Sequence, residues 1–357
     1  MIKLLIVDDS ALMRRQLTHI FASAGEFEIS QARNGREAVE LNRSFLPDVV
    51  TLDINMPEMD GLTALSRIMA ERPVPVVMVS SLTEAGALAT FEALNLGAVD
   101  YIVKPGGTIS LSIGQITEEL VGKVRAAARA RVKSARPVAG ALVQRMREEQ
   151  KKIAARPLNM ASRRGVADEG LVLIGVSTGG PRTLEDILPR LPADFPWPVL
   201  VAQHMPAAFT KSFAERLGRA CALQVVEASA PMAVEPGTIY IAKGSADMLL
   251  TQRAGKLTVL PKPESAQHLW HPSVELLGRS ALEHCDPARI TAVMLTGMGT
   301  DGAESFTEIK QRGGYTIAES EESAVVFGMP RELIERRGAS IVLPADKIAD
   351  QLTARVG

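Results

Sequence analysis

A chain of 357 residues, 46% hydrophobic and 23% charged, is long enough for two globular domains, each with its own core. Forty Lys and Arg against 41 Asp and Glu leave a net charge of −1, so no global field draws the molecule to nucleic acid or to a membrane surface. Two cysteines, Cys221 and Cys285, stand far apart and outside any C-x-x-C pair, which argues for a reducing compartment and against a disulfide framework.

The N-terminus runs directly into Leu4–Val7, too short for a signal h-region, and no window approaches a spanning helix. The expected location is therefore cytoplasmic, without membrane insertion. Over residues 1–121, strand-like runs at Leu4–Val7, Val49–Leu52, Val74–Val79 and Ala98–Val103 alternate with helical patterns. Those patterns lie at Leu12–Ala22, Gly35–Asn42, Gly61–Ala70 and Thr90–Leu96. The alternation predicts an α/β domain built on a doubly wound parallel sheet. Polar groups stand at the strand ends where burial does not call for them: Asp8, Asp9, Asp53, Ser80 and Lys104. Three carboxylates converging on one sheet edge repel one another unless a hard cation such as Mg²⁺ sits among them. A carboxylate beside that cation can attack a phosphoryl group, with a lysine and a hydroxyl stabilising the transferred charge. Helix capping accounts for one aspartate but not for the set.

The segments VDDS (7–10), LDINMPEMDG (52–61), VMVSS (77–81) and YIVKP (101–105) resemble a response-regulator receiver domain of flavodoxin-like fold. The resemblance implies phosphorylation of Asp53 by a sensor histidine kinase. It also implies Mg²⁺ held by Asp8, Asp9, Asp53 and the main-chain carbonyl of Asn55. Ser80 and Tyr101 would form the switch pair, and Lys104 would contact the phosphoryl group.

Residues 122–168 change character: Lys and Arg outnumber acids, prolines stand at 137 and 157, and no strand pattern appears. The alanine-rich VGKVRAAARARVKSA predicts a helix continuing the last one of the receiver, and the remainder reads as a linker. No aromatic residue interleaves the basic ones, so a solvated tether or a contact with an acidic surface fits better than nucleic-acid binding.

A second α/β domain, 169–357, opens with LVLIGV (171–176), an apolar run suited to a strand buried on both faces. It stops at Ser177-Thr178-Gly179-Gly180-Pro181, after which helical spacing resumes. Gly175–Gly179 fits G-x-S-x-G in a strand–turn–helix setting. As a dinucleotide loop the stretch is poor, since G-x-G-x-x-G is not matched and the next strand ends in Gln203-His204 instead of an acidic ribose partner; the pentapeptide alone leaves nucleophile and inert turn both open. Further strands are predicted at Pro198–Ala202, Thr238–Ala242, Ile290–Leu295, Tyr315–Ala318 and Ala339–Leu343. Of five histidines, His204 alone follows an apolar run directly, on the carboxyl edge from which Ser177 would emerge. Ile290–Gly302 carries one acid, Asp301, in a glycine-rich loop. Hydroxyl, imidazole and carboxylate thus make a candidate acyl-transfer triad in the order Ser, His, Asp. His268 and His271 lack further ligands at metal spacing and read as a turn before a helix capped by Ser273.

The segments IGVSTGGP (174–181), QHMPAAFTKSFAERL (203–217), GTIYIA (237–242), HPSVELLGRSA (271–281), LTGMGTDGA (295–303) and VVFGMPRELI (325–334) resemble the bacterial chemotaxis protein-glutamate methylesterases, which are also protein-glutamine deamidases. The resemblance implies a Rossmann-like catalytic domain with no cofactor. Ser177 would be the nucleophile, His204 the base and then acid, and Asp301 the orienting carboxylate. The Met298 amide would face the oxyanion, and Thr178 would help orient the imidazole or leaving group. The substrates would be methylated or amidated cytoplasmic domains of chemoreceptors. The unphosphorylated receiver would cover the active site. Relatives often carry A-P-G-x-x-H where this chain has Ala242–Asp247, and an Asp-Gly pair near Ala230-Pro231. Both departures are expected to affect substrate docking or the receiver contact and to leave the triad untouched. The rival reading is a phosphorylation-controlled binding module with vestigial hydrolysis.

Overall fold

A computed structural model of the chain describes residues 1–80, 83–104, 113–130, 170–265 and 267–356. The N-terminal sheet contains β1 (Ile2–Val7), β2 (Phe27–Ala32), β3 (Val49–Asp53), β4 (Val76–Ser80) and β5 (Asp100–Val103). All neighbours are parallel, in the order β2-β1-β3-β4-β5. Helices α1 (Ala11–Ser23), α2 (Gly35–Ser44), α3 (Gly61–Glu71), α4 (Glu84–Leu96) and α5 (Ile113–Ala128) form the crossovers. The order reverses between β1 and β3, and ligands of open α/β sheets bind beyond the strand ends at such a point. That is where Asp8, Asp9 and Asp53 emerge. Ser10, Asn34, Asp60 and Thr83 cap the first four helices by accepting a main-chain N–H.

The strand β2 has no counterpart in the sequence reading. It is an edge strand with only its two ends buried, so FEISQA never forms the apolar run that marks a doubly covered strand. Helix α5 passes residue 121 and ends at Ala128. Of the stretch 122–168, residues 131–168 lie outside the described ones.

The second sheet comprises β6 (Leu171–Val176), β7 (Val199–Gln203), β8 (Gln224–Ala228), β10 (Thr238–Ala242), β13 (Ile290–Met294), β14 (Tyr315–Glu319) and β15 (Ile341–Leu343). It is parallel throughout, in the order β15-β14-β13-β6-β7-β10-β8. Helices α6 (Gly180–Ile187), α7 (Ala207–Ala220), α8 (Val274–His284), α9 (Ala303–Gln311), α10 (Met329–Glu335) and α11 (Ala345–Val356) surround it. A small antiparallel sheet made of β9 (Met232–Ala233), β11 (Ala246–Arg253) and β12 (Lys256–Pro263) is an addition the sequence did not announce. Its β11–β12 hairpin turns at Ala254-Gly255, both with positive φ. The central strands β6, β7 and β13 are buried at every residue, as the unbroken apolar runs predict.

Apolar packing continues across the two domains. Phe91 of α4 stacks on Phe213 of α7, with ring centroids 5.4 Å apart. Tyr101 of β5 stacks on Phe209 of the same helix at 4.7 Å. Each such pair adds roughly 0.5–1.5 kcal/mol beyond its buried area. Burial pushes the thiols of Cys221 and Cys285 up to about 12 and about 11, so neither is a nucleophile at neutral pH. Among the described residues, no helix is long and apolar enough to cross a membrane.

Candidate active site and phosphoacceptor site

Ser177 and His204 meet because of strand register. Val176 pairs with Gln203 at the ends of β6 and β7, so the next residues on the two chains face each other across one strand spacing of ~4.8 Å. The His204 N–H donates to Val176 O at 3.1 Å, and Gln203 Nε2 donates to Ser177 O at 3.0 Å. On the other flank the Ser177 N–H donates to Thr296 O at 2.9 Å. The nucleophile candidate is thereby held by β7 on one side and by the exit of β13 on the other. Gly179, at φ +79°, turns the chain into α6, a backbone conformation that a side chain disfavours.

Asp301 completes the group. Its Oδ2 lies 2.8 Å from His204 Nε2, and an ionised carboxylate only accepts, so Nε2 carries the proton. Nδ1 is then the basic nitrogen; it is buried and holds no hydrogen bond. Asp301 also accepts the N–H groups of Val274 (2.7 Å) and Glu275 (3.0 Å) and the Ser273 hydroxyl (3.0 Å). The carboxylate therefore sits on the N-terminus of α8, where helix amides favour an anion. Burial by itself would raise the Asp301 carboxyl; the His204 ring and the two helix amides outweigh it and hold it below the ordinary carboxylate range.

The loop after β13 approaches the nucleophile closely. A Cβ on Gly297 would lie 2.7 Å from Ser177 Cβ and 2.4 Å from Met329 Sδ, so only glycine fits there. Gly297 N–H donates to Val326 O, and its carbonyl accepts from Gly328 and Met329. Below the loop, the buried Glu319 accepts the Thr296 N–H at 2.8 Å.

At the carboxyl edge of the N-terminal sheet, carboxylate oxygens of Asp8, Asp9 and Asp53 lie within 4.8 Å of one another. Lys104 Nζ forms ion pairs with Asp53 Oδ2 at 2.8 Å and Asp8 Oδ2 at 3.1 Å. Burial pushes the Asp53 carboxyl up, and Lys104 offsets this only in part. Such a crowd of oxygen donors suits a divalent hard cation. Asn55 is exposed in the loop beyond β3, and its N–H donates to Asp53. Ser80 accepts the Thr90 hydroxyl at 2.9 Å, and Tyr101 is buried against α7.

Residues 172–352 match the family model described as CheB methylesterase, and residues 4–112 match that for the response regulator receiver domain. The protein-glutamate methylesterase/protein-glutamine glutaminase 3 of Rhodospirillum rubrum is 57% identical, covering 99% of this chain and 96% of the relative. The corresponding protein 2 of Carboxydothermus hydrogenoformans is 49% identical, with 99% of each chain covered. The chain belongs to the CheB methylesterase family. The crystal structure of the Thermotoga maritima CheB methylesterase catalytic domain is similar to it at a TM-score of 0.51 and 42% identity, covering 53% of this chain and 100% of that one.

Two features of this CheB-family chain escaped the sequence. The first refines the expectation that the altered 242–247 segment leaves the triad untouched: it touches no triad residue directly but is linked to one through a single intermediate. Asp247, buried at the start of β11, accepts the Ser273 N–H at 2.8 Å, and Ser273 in turn donates to Asp301. Asp247 also binds His271 Nδ1 at 2.8 Å. The segment therefore reaches the triad through one residue, which the 26 positions separating Asp247 from Ser273 concealed.

The second is the receiver's grip on the catalytic rim. Thr178, expected to orient the imidazole or leaving group, donates its hydroxyl to Asp100 of β5 at 2.7 Å. A Cβ on Gly122 of α5 would lie 2.9 Å from Met298 Cε, so α5 rests on the side chain of the candidate oxyanion residue. Val325, beside Gly179, packs into the receiver's core. Under this cover Ser177 and Thr178 are only 6% and 2% exposed. Asp100 carried no motif signal beyond its place next to Tyr101.

Proposed function

We propose that this chain demethylates methyl-esterified glutamyl side chains of chemoreceptor cytoplasmic domains and deamidates receptor glutamines. The single observation that carries the reading is His204, with Nε2 fixed on Asp301 and Nδ1 left basic, one residue past the Val176–Gln203 register pair that sets Ser177 on the neighbouring strand end. Ser177 Oγ attacks the γ-carbonyl while its proton passes to His204 Nδ1. Negative charge on the carbonyl oxygen is met by the Met298 N–H, and one such donor contributes roughly 3–4 kcal/mol to the transition state. The imidazolium returns its proton to the departing oxygen, releasing methanol, or to the nitrogen of a glutamine, releasing ammonia. Water, deprotonated by the same imidazole, then hydrolyses the acyl-enzyme. Asp301 holds the tautomer and balances the imidazolium charge.

Regulation follows from the cover. Asp53 accepts a phosphoryl group from a sensor histidine kinase in the cytoplasm, with Lys104 balancing the added charge. Asp8, Asp9, Asp53 and the Asn55 carbonyl would hold Mg²⁺, which when bound neutralises charge on the phosphoryl oxygens. Ser80 and Tyr101 respond to the phosphoryl group, and the stack of Tyr101 on Phe209 loosens with the Asp100–Thr178 hydrogen bond. An ordered base–acid pair beside a serine argues against the vestigial binding module.

The test is mass spectrometry of receptor glutamates and glutamines before and after treatment with phosphorylated protein, wild type against Ser177→Ala. Loss of 14 mass units per ester only with wild type supports the reading. Equal changes with Ser177→Ala, or none with either, would refute it.

A further inference from the structure

Trp270 has no part in the scheme above, yet its indole lies parallel to the His204 imidazole, with ring centroids 5.6 Å apart and planes within 9°. It is half-buried, on the segment that leads into α8. Its Nε1 borders the oxyanion loop, since a Cβ on Gly299 would lie 3.5 Å from it. The next residue is anchored on both sides: His271 binds Asp247 through Nδ1 at 2.8 Å and the His268 carbonyl through Nε2 at 3.1 Å. Ser273, two residues further on, is fixed to Asp247 and to Asp301. The segment carrying the indole is therefore tied to the same carboxylate that orients His204, and the ring is delivered as a fixed wall.

We propose that Trp270 is a positioning residue for the hydrolytic reaction: its indole face holds the His204 ring edge-on to Asp301 and stabilises the charge that ring acquires from Ser177. The proposal rests on the hydrolase reading above. An aromatic face attracts a cation, and more strongly when water is excluded; the His204 side chain is only 6% exposed. An aliphatic residue of similar bulk would fill the space and lack the attraction. Among the described residues, the charged and titratable groups tied to this ring and to the indole segment include Asp301, in contact with Nε2, and the His271–Asp247 pair; Asp100, with Lys123 beside it, holds Thr178 next to the nucleophile.

Two measurements on the full chain test this. The chain has only two tryptophans, and an imidazolium in contact with an indole quenches its emission. Tryptophan emission of the unphosphorylated protein, followed as pH is varied, should show a step that His204→Gln removes. A step that survives in His204→Gln, or no step in wild type, overturns the proposal. Kinetics of the phosphorylated protein on methylated receptor should show Trp270→Leu lowering kcat about 3- to 10-fold with KM little changed. The acid limb of kcat/KM should move to lower pH by ~0.5–1 unit, with Trp270→Phe recovering most of both. An unmoved acid limb, or Phe no better than Leu, also overturns it. Wild type that shows the emission step but no turnover would instead sink the hydrolase reading and leave the ring contact standing.

Discussion

Substituting Asp100 by alanine should switch the enzyme on without phosphate. The Thr178 hydroxyl donates to Asp100 Oδ2 at 2.7 Å across the domain interface, where the two residues are 2% and 5% exposed. A hydrogen bond to a charged group away from water contributes ~1.5–3 kcal/mol. Once the domains part, both groups are hydrated, so this contribution belongs to the closed form alone. The other partners of Asp100, the Tyr101 N–H at 2.7 Å and Lys123 at 3.8 Å, lie within the receiver and stay with it in either form. Their loss cancels to first order. Removing ~2 kcal/mol from the closed form multiplies the open-to-closed ratio about 30-fold. Methanol release by unphosphorylated Asp100→Ala should therefore rise ~30-fold, or up to the ceiling set by the isolated residues 169–357. The phosphorylated rate should stay at the wild-type value. Asp100→Asn keeps an acceptor for Thr178 and should give a smaller rise. If Asp100→Ala matched wild type in both states, the hydrogen bond would carry no part of the inhibition.

Asp301→Asn should lower kcat by ~10³–10⁴, because the amide no longer holds the productive tautomer. It should also change acid stability. The folded carboxyl titrates below its ordinary value, so its contribution is fully present above the ordinary carboxylate range and disappears as pH falls through the lowered value. Thermal melts should show Asp301→Asn less stable than wild type near neutrality, with the gap closing below about pH 4. A Cβ added by Gly297→Ala would meet Met329 Sδ at 2.4 Å and Ser177 Cβ at 2.7 Å. Crowding of this kind costs about 1–3 kcal/mol, so both Tm and kcat should fall. Chelating divalent cations, or Asp53→Asn, should abolish activation by a small-molecule phosphodonor and leave the basal rate of the full chain unchanged; chelation should also leave the rate of isolated residues 169–357 unchanged, with phosphorylation assays and methanol release reading the two halves separately.

Much of this architecture was legible in one dimension. Runs such as LLIV, VVTL and LVLIGV are what strands covered on both faces require, and they mark β1, β3 and β6 in the structure. Apolar packing does not call for charged and hydroxyl residues directly after such runs, which is why Asp8, Asp53, Ser177 and His204 stand out, even though Asp8, Asp53 and Ser177 are themselves buried. Strands that failed this pattern were missed for a physical reason. The edge strand β2 is buried only at its two ends, and the β11–β12 hairpin becomes exposed toward its turn, so neither presents an unbroken apolar run.

Residue type and local order thus sufficed to say which groups carry the chemistry, because polar side chains at the ends of buried strands have few other uses. Which groups hold them in place could not be read along the chain. Asp247 and Ser273 beneath Asp301, Trp270 against His204, and Asp100 on Thr178 are pairs separated by 26 to 78 positions. Their partnership arises only when sheet order and domain packing bring distant loops to one rim. Hydrogen bonds and ring contacts act over a few ångströms of space, and spacing in sequence carries no record of them.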